Sequence, residues 1–232
     1  MKNESAGAGV MRRIIEQGAE EAGLTVSEAD IHALEIFAAE LKKWNRTINL
    51  TAITADVEIA IKHFIDSLIF AEHVHDGENL LDMGSGAGIP AIPLKIFKSA
   101  VNVVSVDAVG KKILFQRQVA RLLKLERFEA VHARVESLYS THSHRFDVIT
   151  SRAFSRLEQF VSLAHPLLAV GGRMIAMKGP AVADEISSAE ESLRTLGYEI
   201  LCNYPYRLPF DMGERNLIVI SRPQHPLNGA SE

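Results

Sequence analysis

The chain has 232 residues and a formal net charge of −4, with 47% hydrophobic and 23% charged residues. These values are ordinary for a globular protein and suggest neither a disordered nor a fibrous chain, and the slight acidic excess does not favour a polyanion as partner. No stretch approaches the ~18 apolar residues of a membrane span, the N-terminus lacks a signal-peptide pattern, and the single cysteine, Cys202, cannot form an internal disulfide. We therefore expect a cytoplasmic protein with no membrane partner.

Helical patterns occupy the first third of the chain. Apolar residues recur there at three-to-four spacing, and Ser27 with Asp30 has the pattern of a capping box at the start of the second helix. The predicted helices cover residues 10–22, 27–44 and 56–74. A polar break at 45–54 separates the last two, and we expect residues 1–76 to form a helical cap packed on the core.

From residue 77 the pattern changes to strands that alternate with helices. Such alternation predicts an α/β fold, doubly wound and mostly parallel, with helices on both faces of a Rossmann-like sheet. Parallel strands are expected at residues 79–83, 101–107, 128–133, 146–151 and 173–178. The last two strands, at 198–204 and 216–221, are too close in sequence for a crossover helix and should form an antiparallel edge pair. This predicts a core domain at 77–222 and a flexible tail at 223–232.

The stretch LLDMGSGAGIPAIPL, residues 80–94, carries alternate glycines after the first predicted strand. Gly84, Gly86 and Gly88 let the backbone approach a ligand beyond the carboxyl end of the sheet. Ile89 stands where a dinucleotide motif needs its third glycine, and no Gly-Lys-Ser/Thr of a P-loop follows. The remaining pattern, D-x-G-x-G-x-G, is typical of S-adenosylmethionine-dependent methyltransferases.

Asp107 ends the second predicted strand, where a carboxylate can accept hydrogen bonds from ribose hydroxyls. An acid at this position also occurs in NAD-binding folds. Asp107 therefore supports a nucleoside-containing ligand but does not distinguish S-adenosylmethionine from NAD. The reversed edge strand favours the methyltransferase sheet.

One helix carries a basic stripe on this acidic protein. Residues 110–125 read GKKILFQRQVARLLKL and contain no acid. Their basic residues are Lys111, Lys112, Arg117, Arg121 and Lys124. A stripe of this kind is either a solvated face or part of an RNA-binding surface, and we keep RNA contact as a hypothesis.

Several blocks in order resemble one family, the bacterial small-subunit ribosomal RNA guanine-N7 methyltransferases, also called methyltransferase G or glucose-inhibited division protein B. The likeness runs from about Leu34 to Ile220. Its carriers include KKWNRTINLTAI, KHFIDSL, LLDMGSGAGIPAIPL, VDAVGKKILFQRQV, HARVES, FDVITSRAFS, MKG and GERNLIVI. Lys62 stands where the family usually has Arg, so the positive charge is kept but the planar guanidinium fork is lost. Ala91 stands where the family usually has Gly.

The resemblance implies an enzyme that transfers a methyl group from S-adenosylmethionine to N7 of one guanosine in the decoding-region loop of 16S ribosomal RNA. It also implies that Gly84 and Ile89 contact the cofactor, that Val135 and Glu136 bracket the adenine, and that Arg152 lines the site. The partner would be small-subunit ribosomal RNA or the small subunit itself, and we expect a monomer.

Methylation at guanine N7 needs no general base, because the neutral base already offers a lone pair. Positioning groups suffice. Our candidates on the substrate side are Asn49, Lys62, His63, Asp66, Lys178 and Arg215. Asp66 lies four and three residues after Lys62 and His63, so it could orient a basic neighbour that faces the RNA.

Other readings remain open. His142 and His144 have a metal-like spacing without an accompanying acid or cysteine, so we predict no metal. The same cofactor turn could serve a methyltransferase acting on another RNA or a small molecule, or a non-catalytic cofactor-binding protein of ribosome assembly. An NAD-dependent oxidoreductase is disfavoured by Ile89.

Overall fold

The computed structural model describes residues 2–152 and 156–223, with residues 2–8 as backbone only. All of the predicted tail except its first residue lies outside the described residues, as do residues 153–155, which end the block FDVITSRAFS. No helix in the described ranges is both long and apolar enough to cross a membrane.

The N-terminal third is helical, as the apolar spacing predicts. Helix α1 (Lys2–Glu21) begins well before the predicted start at residue 10, whereas α2 (Glu28–Asn45) agrees with its prediction. Ser27 is the N-cap of α2: its side chain accepts a hydrogen bond from the Asp30 backbone N–H, and the Asp30 carboxylate accepts one from the Ser27 N–H. The predicted capping box is therefore present.

The third predicted helix is continuous but irregular. It consists of α3 (Asp56–Glu58), a π-helical stretch (Ile59–Ile65) and α4 (Asp66–Ala71), which we call together the third helical segment. The sequence pattern did not indicate the π-helical stretch, because its apolar residues are compatible with either winding. Stretches of this kind are rare and frequent at functional sites.

Seven strands form one sheet in the order β3-β2-β1-β4-β5-β7-β6. The first five strands are parallel, and β7 pairs antiparallel with both β5 and β6. The strands are β1 (Asn79–Met83), β2 (Asn102–Asp107), β3 (Phe128–His132), β4 (Phe146–Arg152), β5 (Leu168–Lys178), β6 (Glu199–Arg207) and β7 (Glu214–Ser221). The predicted fold class and antiparallel edge pair are confirmed, while β5 begins five residues earlier than expected.

Helices cover both faces of the sheet. They are α5 (Ala91–Phe97), α6 (Gly110–Leu122), α7 (Leu157–Ala164) and α8 (Ala183–Thr195), with a short 3-10 turn at Val135–Leu138. Successive strand residues point to opposite faces, so Leu80 and Val148 pack with α4 and α5 while Leu81 and Ile149 pack with α7 and α8.

The N-terminal helices share a buried cluster with the start of the core. Ile15, Phe37 and Phe64 lie in the same cluster as Ile92 of α5 and Phe115 of α6. The Phe37 ring stacks on those of Phe64 and Phe115, with centroids 5.5 and 6.1 Å apart. This packing fixes the third helical segment over the carboxyl ends of the parallel strands. The division into a cap and a core domain remains a prediction.

Candidate active site

The glycine-rich turn leaves β1 in a conformation that its glycines permit. Gly84, Gly86 and Gly88 have φ of 68°, 58° and 76°, values that residues with a side chain rarely adopt. A Cβ on Gly88 would lie 2.6 Å from Ile92 Cδ1, whereas one on Gly86 would meet nothing within 4 Å. Gly88 therefore permits close packing of α5, and Gly86 leaves its backbone open to a ligand.

Two neighbouring elements hold the turn in place. The backbone N–H groups of Gly84 and Ser85 donate to the Val106 carbonyl at 2.9 and 3.1 Å. The buried Gln116 amide of α6 donates to Ser85 Oγ and to the Gly86 carbonyl, both at 2.8 Å, while its oxygen accepts from Ser105 Oγ at 2.6 Å. Sequence reasoning missed Gln116, although it lies inside the block VDAVGKKILFQRQV.

Asp107 ends β2 beside this turn. Its Oδ2 accepts the Gly86 N–H at 2.9 Å and its Oδ1 accepts the Val109 N–H at 2.7 Å. Each carboxylate oxygen has a further lone pair, so Asp107 can hold the turn and still accept hydrogen bonds from a ribose. The 3-10 turn after β3 places Val135 in the core and leaves Glu136 exposed.

Asp82 is the acid of the glycine pattern and is fully buried. Among the described residues, neither of its carboxylate oxygens has a hydrogen-bond partner. Burial raises its pKa to about 7, although the charge of Arg152 and the nearby Ala91 N–H, which does not reach hydrogen-bond geometry with the carboxylate, act in the opposite direction. An unpartnered buried carboxylate directly before the open turn fits a ligand that brings a positive group to this end of the strand.

Arg152 lies at the end of β4, next to the end of β1. The register places Asp82 beside Thr150, so Arg152 lies level with Gly84 in the adjacent strand. Its guanidinium donates to the Lys62 carbonyl at 2.9 Å and to His63 Nδ1 at 3.0 Å, and it forms an ion pair with Asp66 at 3.6 Å. Arg152 therefore joins the sheet to the π-helical stretch.

His63 is buried and faces inward. Nδ1 of His63 lies 3.0 Å from the Arg152 guanidinium and 3.3 Å from the Lys62 carbonyl. Since a guanidinium can only donate and makes the shorter contact, we assign Nδ1 as an acceptor, and Nε2–H then donates to Thr51 Oγ1 at 3.0 Å. Burial and the adjacent Arg152 charge lower the pKa of His63 to about 3. Of the two basic neighbours of Asp66 that could face the RNA, Lys62 or His63, His63 does not, because its ring is buried against Arg152.

Asp66 is buried beside the same arginine. Tyr206 of β6 donates its hydroxyl proton to Asp66 Oδ1 at 2.6 Å. Burial raises the pKa of Asp66, and the Arg152 charge and the Tyr206 hydrogen bond oppose that shift. Tyr206 was missed as well, since no sequence signal brings residues 140 positions apart together.

A cleft of about 330 Å³ opens above this network. Four residues that sequence reasoning placed on the substrate side line it together with Arg152: Lys62, Asp66, Lys178 and Arg215. Lys62 Nζ pairs with Glu58 at 2.6 Å and Lys178 Nζ with Glu185 at 2.7 Å. We call this the acceptor cleft. Its lining is basic and lies at the carboxyl edge of the sheet.

Asn49 does not join the acceptor cleft and is exposed on the loop after α2. Its neighbour Asn45 organises that loop instead: Asn45 Oδ1 accepts the backbone N–H groups of Leu50 and Thr51 at 2.8 and 3.0 Å. Asn45, at the end of α2, is therefore the asparagine that holds this loop by hydrogen bonds.

Four residues of the basic stripe lie on α6, and Lys124 follows two residues after its end. Lys111, Arg117, Arg121 and Lys124 are exposed and Lys112 is half-buried. The helix begins just after Asp107 and spans ~20 Å, and its contact with the glycine turn is made by Gln116 in its second turn, so Arg121 and Lys124 lie toward the far end from the site. Arg117 also donates to the Ala130 carbonyl at 2.9 Å. In the described ranges no group of three or more His, Cys, Asp or Glu side chains is arranged to hold a metal.

The sheet order, the glycine turn and the acidic end of β2 define the class I methyltransferase fold. Solved structures agree with this class. A ribosomal protein L11 methylase from Lactobacillus delbrueckii subsp. bulgaricus matches with a TM-score of 0.55 at 17% identity, over 70% of this chain and 79% of that one. Aeropyrum pernix fibrillarin, solved with natively bound S-adenosyl-L-methionine, matches with a TM-score of 0.51 at 16% identity, over 64% and 68%.

Sequence comparison gives the family. The model of the rRNA small subunit methyltransferase G family matches residues 30–204. A ribosomal RNA small subunit methyltransferase G from Geobacter sulfurreducens is 49% identical over 208 residues, which cover 90% of this chain and 96% of that relative. The chain belongs to the rRNA small subunit methyltransferase G family.

Proposed function

We propose that the protein transfers a methyl group from S-adenosylmethionine to N7 of a guanosine in the decoding-region loop of 16S ribosomal RNA. The observation that carries this proposal is the juxtaposition of an open glycine turn with a basic cleft at the same edge of the sheet. Family membership supports a ribosomal RNA acceptor.

The residues around the turn suit this cofactor. The open backbone at Gly86, the carboxylate of Asp107 and the unpartnered carboxylate of Asp82 offer places for an amino-acid end, a ribose and an ammonium group. Val135 offers an apolar wall and Glu136 an exposed acceptor to the adenine. When bound, the cofactor supplies a methyl group activated by its sulfonium.

The acceptor cleft suits the Hoogsteen edge of guanine. That edge presents N7 and O6 as neighbouring acceptors. Donors from Arg152, Lys178 or Arg215 can bind O6 or a phosphate and leave the N7 lone pair free. Because N7 carries no proton, the residues need only orient the base and exclude water, and His63, whose nitrogens are already hydrogen-bonded, is not needed as a base.

The test uses the full-length protein with labelled S-adenosylmethionine. Its substrates are intact small subunits and deproteinised 16S RNA, both from a strain that lacks this gene. We expect label in 7-methylguanosine at a single position after nucleoside analysis. Label at another atom or in another acceptor, or cofactor binding without transfer to either substrate, would overturn the proposal.

A further inference from the structure

A second concavity lies beside the acceptor cleft, between the end of α2 and the start of the third helical segment. It has a volume of about 360 Å³, within the size range of small-molecule sites. Its lining includes the apolar Leu41, Ile53 and Ile59 and the polar Asn45. The exposed lining residues Arg46 and Thr54 we call its rim. We call it the cap hollow.

Ile53 lines both the cap hollow and the acceptor cleft, so the two share a wall. The loop that carries Ile53 is tied to the catalytic edge of the sheet: Thr51 Oγ1 accepts the Ile53 N–H at 3.0 Å and the His63 Nε2–H at 3.0 Å, and His63 accepts from Arg152. The position of the shared wall relative to the sheet is thereby held by partly buried hydrogen bonds.

We propose that the cap hollow binds the nucleotide next to the methylated one on the same RNA strand, an inference that rests on the proposed function. An unpaired target nucleotide has neighbours on its strand that are also unstacked, and such bases are held on apolar or aromatic surfaces. Half-buried Ile53 offers such a surface above the fully buried Leu41 and Ile59. Because Ile53 also lines the acceptor cleft, a base held on it would lie beside the base in that cleft.

The charges around the hollow favour a nucleotide over an apolar ligand. Arg46, the C-cap residue after α2, is exposed at the rim, where its side chain can bind a phosphate. Lys42 also lines the hollow, but its Nζ already pairs with Asp56 at 2.6 Å, which leaves Arg46 as the better phosphate ligand. The exposed hydroxyl of Thr54 adds a group that can hydrogen-bond a base or a 2′-hydroxyl.

The first test measures methylation kinetics of two rim variants on the RNA substrate. Arg46→Ala removes the cation, and Thr54→Trp fills the hollow with a larger side chain. Each variant should raise KM for RNA about fivefold or more. The affinity for S-adenosylmethionine should not change, because neither residue lies at the glycine turn. Arg13→Ala is the matched control, since Arg13 is an exposed arginine on α1 that does not line the hollow.

The second test reports position directly. A photoreactive p-benzoylphenylalanine at Thr54 should crosslink within about two nucleotides of the methylated guanosine, and one at Arg13 should not. The inference would be overturned if the wild type methylates the RNA, both rim variants have the same KM for RNA as the control, and the crosslink forms elsewhere in the RNA. If the wild type transfers no methyl group to the RNA, the proposed function itself fails.

Discussion

At the scale of single residues, the buried carboxylate of Asp66 depends on partners from two distant strands. Arg152 of β4 balances its charge at 3.6 Å, and Tyr206 of β6 donates a hydrogen bond at 2.6 Å. A buried carboxylate that loses a donor keeps its desolvation cost. The network is therefore coupled, and its edge-strand member should matter for stability even though it lies outside the acceptor cleft.

We expect Tyr206→Phe to lower the free energy of unfolding by roughly 1.5–3 kcal/mol, the usual range for a hydrogen bond to a charged group. Urea denaturation at pH 7 measures the change. Tyr204→Phe is the control: Tyr204 is on the same strand but 45% exposed, and should change stability by less than about 0.5 kcal/mol. Equal effects of the two variants would contradict the role given to the Tyr206 hydroxyl.

The raised pKa of Asp82 predicts that the difference in stability between the wild type and an Asp82→Asn variant depends on pH. Its pKa in the folded protein is raised to about 7, so between about pH 4 and pH 7 the unfolded chain has released the proton and the folded protein has kept it. Wild-type stability should thus fall across this window relative to Asp82→Asn, whose amide does not titrate. The gap in unfolding free energy should grow by about 2–3 kcal/mol in favour of the variant between pH 5 and pH 8.

Urea denaturation of both proteins without cofactor, at pH 5 and pH 8, measures this gap. Other titrating groups cancel in the comparison because both proteins carry them. A gap that does not change between the two pH values would show that Asp82 titrates normally. The same variant should bind S-adenosylmethionine more weakly if the carboxylate faces the ammonium group of the cofactor.

At the scale of elements, α6 has two surfaces with different tasks. Its buried side carries Gln116 to the glycine turn, and its exposed side carries the basic stripe. Lys111, Arg121 and Lys124 are exposed, whereas Arg117 is bonded to the backbone of β3. The first three residues can therefore be changed without disturbing the contacts that hold the turn.

If the stripe binds phosphates of the RNA, replacing Lys111, Arg121 and Lys124 by Gln should weaken RNA binding at low salt. The slope of log affinity against log salt should fall in magnitude by about 2, given a slope near 0.7 per phosphate contact on single strands. Binding of S-adenosylmethionine should stay unchanged. RNA affinity and slope equal to those of the wild type would identify the stripe as a solvated face.

Much of this architecture was predictable because the spacing of apolar residues along a helix or strand is a local property of the sequence. The alternation of strands and helices gave β1 its bounds, and the Ser27 box gave the start of α2. The π-helical stretch was not predictable, since an apolar run such as IAIKHFI fits either winding and tertiary contacts decide between them. The sequence also left open whether Lys62 or His63 faces the RNA, and only the folded chain shows that His63 is buried against Arg152.

The candidate site shows the same division. Residues within motifs, such as Lys178 and Arg215, were found because strand ends can be predicted, and the antiparallel pairing of β5 with β7 then brings the end of one strand beside the start of the other. Gln116, Thr51 and Tyr206 were missed because their roles depend on pairs of residues that meet only in the folded chain. Sequence patterns thus located the edge of the sheet but not the buried hydrogen bonds that fix it.

At the scale of the whole molecule, the cofactor turn links binding to global stability. The turn joins β1 to α5 and is clamped by β2 and α6, so a ligand on it contacts elements that unfold together. A ligand that binds only the folded state at 100 times its Kd adds about 2.7 kcal/mol. For a chain of this size, each kcal/mol shifts Tm by about 2–4 °C.

We therefore expect saturating S-adenosylmethionine to raise Tm by roughly 5–10 °C in a thermal unfolding experiment. NAD at the same concentration should leave Tm unchanged, because Ile89 and the close packing of Gly88 on Ile92 do not provide the third glycine of a dinucleotide turn. The shift should also be smaller in Asp82→Asn, which keeps the turn but loses the carboxylate behind it. A Tm shift with NAD and none with S-adenosylmethionine would reverse the assignment of the glycine turn. Both ligands would bind the same backbone, and the spacing of the glycines is the feature that distinguishes a turn for one from a turn for the other.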